Sequence, residues 1–264
     1  MADGRHAASL IAPLAAPGRA EEVALRIARA IQLGLLADRE QLPPETEFAA
    51  QLGVSAMTLR EALAMLRQQG LVETRRGRTG GTFVRRPTAP HLGPLRDRLR
   101  AMTADELRDL TDEQSAVSGA AARLAATRAS TVSVRRLLAL AGQLAGAATT
   151  GARIMADSRF HIEVAIASKS ERLTVLEVAL QTTLAELLWL PLGASGTDGA
   201  TAPTGADDHR AEVLNPRAAA EEHAAIAAAI EAEDGSRARL LAEEHAAANL
   251  RRLTALQRAL PPHP

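Results

Sequence analysis

The chain has no cysteine and no tyrosine, a single lysine (Lys169), and four aromatic side chains in 264 residues: Phe48, Phe83, Phe160 and Trp189. Without cysteine there is no disulfide, no thiolate metal site and no cysteine nucleophile. So few aromatics, beside an alanine content of about a fifth, argue against a mainly β architecture and for helix. No apolar run reaches the roughly 18 residues of a membrane span. The longest uncharged stretch, 137–152, is broken by Gly, Gln and Thr. The N-terminal tail, residues 7–16, is too short and too proline-interrupted to read as a signal peptide. Net charge is missing as well: 31 Lys+Arg face 31 Asp+Glu, so overall charge names no partner. What these absences leave is a soluble, mostly helical, cytoplasmic protein with no membrane association, long enough for two domains.

The charge that is present is unevenly spread. Through Arg86 there are 12 Arg against 9 acids, and after it 19 basic residues against 22 acids. Seven of the Arg and only two Glu fall within residues 60–86. The Pro/Gly-rich stretch 87–94 follows at once and reads as a linker. The expected organisation is a basic winged helix-turn-helix domain at 17–87, a linker at 88–103, and an all-helical domain at 104–256. The fold class is mainly α, with a small β-hairpin wing and a C-terminal antiparallel helical bundle.

Apolar residues at 23, 24, 27, 28, 31 and 35 make a helical stripe across 21–37. A short helix is expected at 45–52. Gly53-Val54-Ser55 makes the turn, with Ser55 placed to cap a helix at 56–69. Gly70 stops that helix, and 71–84 has β-prone ends around a Gly/Arg-rich tip, the pattern of a hairpin. Such a module fits duplex DNA. The N-terminal residues of the second helix (Ser55, Met57, Thr58, Arg60) can face base edges in the major groove. Arg75, Arg76 and Arg78 on the hairpin can meet phosphates or the minor groove, with Gly80 and Gly81 allowing close backbone approach. Helix-turn-helix shapes also occur in proteins that bind no nucleic acid, and the residue pattern alone leaves that open.

Helices are expected at 104–127, 131–148, 151–168, 171–190, 216–232 and 235–259, with a mobile loop at 193–208. Asn215-Pro216 marks a helix start. Asp157 and His161, four apart, share one helix face. His223 and His245 each lie 11 residues from Asp234, so across an antiparallel hairpin turning there they sit at one height, about 16 Å from the turn. If the 151–168 helix packs against that hairpin, one carboxylate and three imidazoles converge. That set suits a divalent cation such as Zn²⁺, Ni²⁺ or Mn²⁺. Each imidazole alone is more often a core or surface histidine than a ligand; it is the four together that point to a metal. His6, His91, His209 and His263 have no such company and are expected at the surface. Arg153, one turn before Asp157, is a candidate to hold a ligand carboxylate.

The string Leu42-Pro-Pro-Glu-Thr-Glu-Phe-Ala-Ala-Gln-Leu-Gly-Val-Ser-Ala-Met-Thr-Leu-Arg-Glu-Ala-Leu63, with Leu66, Gly70-Leu71-Val72 and Gly81-Thr82-Phe83-Val84, resembles the GntR family of bacterial transcription regulators over about residues 20–86. The resemblance implies a homodimer bound to a near-palindromic operator in double-stranded DNA. The family usually has Arg where this chain has Thr46 and Ala56; only the third arginine, Arg60, is kept. Asp157-x-x-Phe-His161, Glu222-His223-x-x-Ile226, Asp234 with Ala238, and His245 are similar to the FCD-type effector domain of the FadR-like branch, over about residues 104–255. That resemblance implies a divalent metal held by Asp157, His161, His223 and His245, and a small organic acid coordinated to it. Near the start of this domain the family tends to have Arg and Glu where this chain has Gln114 and Ser118.

The expected function is a ligand-responsive transcription regulator, repressor or activator. A metal-dependent hydrolase or lyase with an appended DNA-binding module is the alternative, with Glu222 and Glu244 as the nearest acids. Successive helical residues diverge by about 100°, so neither acid is aimed as its neighbouring ligand is. A metal that only stabilises the bundle is the third reading.

Overall fold

The computed structural model describes residues 20–77, 80–85, 92–191 and 215–260. The chain divides into two compact units, Met1–Thr88 and Ala89–Pro264.

In the first unit, α1 (Ala20–Gln32) buries Val23, Ile27 and Ile31, the stripe expected from the sequence. It is shorter than that expectation. Helices α2 (Glu45–Leu52) and α3 (Ala56–Gln68) follow, joined by a turn in which Gly53 takes a left-handed φ of 68°. A side chain there meets steric resistance that glycine avoids. Ser55 caps α3 by accepting a hydrogen bond from the Thr58 N–H at 3.1 Å. Leu59, Ala62, Leu63 and Leu66 then face Phe48, Leu52 and α1 in one apolar core. Strands β1 (Val72–Arg75) and β2 (Gly81–Val84) pair antiparallel, from Val72 opposite Val84 to Arg75 opposite Gly81. Gln41 bridges to Phe83 on the open side of β2.

The second unit is helical throughout its described residues. Its first helix, α4 (Leu92–Ala101), lies where the sequence suggested a linker. Pro94 sits in its first turn, where a missing N–H costs nothing, so a proline-rich composition was compatible with helix. Burial supplied the rest: Leu99 is enclosed, Arg96 donates to the Pro191 carbonyl at 2.9 Å, and Gln257 donates to the carbonyls of Leu99 and Met102. Then come α5 (Ala104–Arg128), α6 (Thr131–Ala145), α7 (Thr150–Ala167), α8 (Glu171–Leu188), α9 (Pro216–Glu231) and α10 (Gly235–Ala259). Side-chain caps fix their starts: a Thr103–Glu106 capping box on α5, then Ser130, Thr149, Ser170, Asn215 and Asp234. The long helices α5 and α10 make the most extensive contact, over alanines such as Ala122 and Ala238.

Two apolar clusters fill this unit. One gathers Leu99, Leu107, Leu184, Trp189, Ala219, Leu253 and Leu256; the other gathers Ala121, Phe160, Val164, Ile226, Ala238 and Ala242. Between them, at one level on each helix, runs a layer of buried polar side chains: Gln114 and Ser118 on α5, Asp157 and His161 on α7, Glu177 and Gln181 on α8, His223 on α9, His245 and Asn249 on α10. Among the described helices none is long and apolar enough to cross a membrane. The stretch 193–208, residues 87–91 and His6, His91, His209 and His263 lie outside the described residues.

Candidate metal centre

Asp157 and His161 come from one face of α7, His223 from α9 and His245 from α10. Their ligand atoms all lie within 4.8 Å of one another. All four are buried, His223 completely. Imidazole centroids are 4.9–5.0 Å apart, and the Phe160 ring stacks flat on His223 at 4.0 Å, fixing its plane. His223 Nε2 stands 3.5 Å from Asp157 Oδ1.

A buried polar atom without a partner is costly, and here such atoms converge. Asp157 Oδ2, His161 Nε2 and both nitrogens of His223 have no hydrogen-bond partner. Burial drives both His161 and His223 well below the ordinary imidazole range, so they are neutral with free lone pairs. Burial pushes the Asp157 carboxyl up to about 6, against the opposing pull of His245, the nearby Trp189 indole and Arg252. A divalent cation answers the acceptor side of these deficits: it takes one lone pair from each neutral imidazole and supplies the charge that makes the carboxylate stable. One carboxylate oxygen and three imidazole nitrogens are also a donor set typical of borderline metals. The residues present therefore fit the ion.

The surroundings orient the set. His245 Nδ1 lies 2.6 Å from Glu222 Oε2, and a carboxylate there accepts the Nδ1–H, turning Nε2 toward the cluster. Burial alone would raise the Glu222 carboxyl, but hydrogen bonds from His245 and Arg252 outweigh it and bring it down to about 2. Arg252 donates twice to Glu222 and once to Asn249 Oδ1. Asn249 Nδ2 donates to Gln114 Oε1 and stands 3.1 Å from His245 Nε2. Beside Asp157 lies a crevice with room for about one water (about 10 Å³), lined by Trp189, Asn215, Asn249 and Arg252.

Glu222, Asn249, Arg252 and Trp189 were not singled out as site residues from the sequence. Asn249 and Arg252 lie four and seven residues after His245 and so continue its stripe, a signal that was available. Glu222 was set aside because it diverges from His223; that divergence is what carries it to His245 on the next helix. Arg153 is elsewhere. Its guanidinium donates to the carbonyls of Ala147 and Ala148, which follow α6 and need partners.

In the first unit, Thr46, Ser55, Met57 and Arg60 are exposed and Thr58 is half-buried, on or beside the helix-turn-helix. Ser55 and Thr58 hydroxyls bond each other at 2.9 Å. Arg60 Nε donates to Glu45 Oε2 at 2.7 Å. Arg75 and Arg76 are exposed; Arg75 pairs with Glu73 and lies 4.5 Å over the Phe83 ring. Arg78 lies outside the described residues. Gly80 has a reason internal to the wing: a Cβ there would stand 2.5 Å from the Arg75 carbonyl oxygen.

Comparison with known proteins adds to this geometry. Residues 19–84 match the gntR family of bacterial regulatory proteins, and residues 109–248 match the FCD domain. The HTH-type transcriptional regulator RmpR of Mycobacterium gastri is 40% identical over 232 residues, covering 88% of this chain and 79% of its own. The Uxu operon transcriptional regulator of Escherichia coli K12 is 34% identical over 139 residues, 52% of this chain and 53% of its own. Among solved structures, E. coli McbR/YncC aligns with 89% of this chain and 96% of its own at 18% identity and a TM-score of 0.48.

Proposed function

The chain belongs to the gntR family of bacterial regulatory proteins and carries an FCD domain, and from that premise we propose that it is a metal-dependent sensor of a small organic acid acting on operator DNA. As a member of that family it is a DNA-binding transcription regulator and not an enzyme, so the hydrolase or lyase alternative falls.

The observation that carries the sensing half is the convergence of four buried ligand side chains, Asp157, His161, His223 and His245, with unpartnered polar atoms on Asp157, His161 and His223. These residues hold the ion. When bound, it supplies a positive centre to which an acid oxygen can attach. Arg252 and Asn249 line the crevice beside Asp157 and are placed to receive the same carboxylate. Arg153, engaged with backbone carbonyls, gives up that role to Arg252. Glu222 keeps Arg252 and His245 in register with each other.

The DNA half rests on α3 and the wing. A homodimer would set two copies of α3 in successive major grooves of a near-palindromic operator, with Arg60 at the base edges and Arg75, Arg76 and Arg78 toward the backbone. Ser55, Met57, Thr58 and Thr46 complete the face, and Gly80 and Gly81 shape the wing that carries its arginines. Coupling between acid and operator is reciprocal: each changes the affinity for the other by the same factor. A cytoplasmic location belongs to the same reading.

The deciding experiment is calorimetric titration of Zn²⁺ into chelator-treated protein. One ion per chain is expected, with a rise in melting temperature, and both are lost in His223→Ala and His245→Ala. Unchanged metal uptake by those variants removes the site.

A further inference from the structure

The first turn of α3 leaves a large apolar side chain in water. Met57 is 64% exposed, more than any other large apolar side chain among the described residues of the first unit. Resting on the proposed entry of α3 into the major groove, we infer that Met57 is a base-reading residue. Its target is the C5-methyl group of a thymine close to the guanine read by Arg60.

The neighbouring side chains narrow what this end of the helix can read. Ser55 accepts the Thr58 N–H at 3.1 Å, and the two hydroxyls bond each other at 2.9 Å, so both are occupied in capping the helix. Ala56 is half-buried and ends at a methyl group. Leu59 is enclosed in the core. Of residues 56–60, Met57 and Arg60 are the two exposed ones. They are three apart, so they share a face of the helix and stand about 4.5 Å from each other along its axis. Base pairs follow one another at about 3.4 Å. The two side chains therefore meet base pairs no more than about two steps apart.

Their chemistry differs. Arg60 spends its Nε on Glu45 at 2.7 Å, and its terminal amino groups can donate together to guanine O6 and N7. Met57 has no donor, and its thioether is a weak acceptor, so the polar groups of a base edge offer it little. The thymine methyl is the apolar group that base edges present in the major groove. Contact between the two takes both out of water, and the unbranched methionine side chain adapts its shape to the methyl. Arg60 thus reads by hydrogen bonds and Met57 by apolar contact, on one helix face.

The test starts from duplexes selected out of a randomised pool by the full chain. Each half-site should hold a guanine with a thymine within about two base pairs of it. Replacing that thymine by uracil deletes the methyl and keeps every hydrogen-bonding group of the pair. Anisotropy titrations should then show binding weakened by about fourfold per half-site, the worth of one buried methyl group. Met57→Ala should bind the thymine duplex more weakly, bind thymine and uracil duplexes alike, and melt at an unchanged temperature. Met57→Gln, whose amide matches adenine N6 and N7, should shift the selected base at that position from thymine to adenine. A uracil cost below about twofold at every thymine of the half-site overturns the inference, as does an equal cost in Met57→Ala and the unaltered chain. Selection of the same guanine by Arg60→Ala, or of no sequence by the unaltered chain, instead removes the reading of α3 on which the inference stands.

Discussion

Glu222 and His223 are neighbours in sequence with separate tasks. His223 sets its Nε2 3.5 Å from Asp157 Oδ1, whereas Glu222 reaches across to His245 and Arg252. Glu222→Gln should therefore weaken zinc binding by about 10- to 100-fold, the range usual for such supporting partners, without lowering the one-ion stoichiometry. Titration of zinc against a competing chelator checks this. The pH response follows from Asp157, whose carboxyl lies at about 6 in the metal-free fold: below that pH a proton competes for the ligand oxygen, so zinc affinity should fall steeply as pH drops through 6. Glu177 gives a second, separable effect. Burial raises its carboxyl from 4.5 to about 7, with the bonds from Gln181 and Ser118 opposing. The folded protein thus holds a proton that the unfolded chain releases, and stability is lost as pH rises from about 4.5 to 7. Glu177→Gln removes that loss. Its melting temperature should exceed that of the unaltered protein at pH 8 by more than at pH 5, in paired thermal melts; equal differences at both pH values would refute the assignment.

At the scale of elements, the caps and the seam between α5 and α10 decide stability. Ser55→Ala removes the hydroxyl that accepts the Thr58 N–H and should cost about 1 kcal/mol in a denaturant melt. Ala238, fully buried where α10 begins, leaves no room for a larger side chain, and Ala238→Leu should cost about 1–3 kcal/mol through overpacking. The helices from 104 onward were legible because their starts carry side-chain signals, such as Asn215-Pro216 and Asp234, and each apolar stripe was long enough to show its period. Helix α4 was not. Pro and Gly dominated the local pattern, while the forces that make it helical come from outside it: Leu99 is buried among the later helices, and Gln257 bonds to Leu99 and Met102 from more than 150 residues away. The convergence of the four side chains was legible for a geometric reason: His223 and His245 are equidistant from Asp234, and the hairpin turns there. Asn249 and Arg252 continue the stripe of His245 at four and seven residues and were legible from that spacing too; Glu222 needed the packing of α9 against α10, which no local spacing gives.

For the whole molecule the prediction concerns DNA. Positions 46 and 56 hold Thr and Ala here, so the proposed reading rests specificity on Arg60. Its Nε is held by Glu45, which leaves the terminal amino groups for a base edge. Arg60→Ala should abolish protection of the operator in footprinting while weak, salt-sensitive binding to unrelated DNA persists. Retained footprints would take Arg60 out of the recognition face. The Arg75→Ala and Arg76→Ala variants should each lower the slope of log affinity against log salt by about one.

Trp189 is the only indole in the chain, and no tyrosine competes with it. It is buried and lines the crevice beside Asp157. Ultraviolet emission excited at 295 nm thus comes from a single fluorophore beside Asp157 and the proposed metal site. Spectral shifts or quenching on adding zinc or an acid can be followed in real time without attaching a dye.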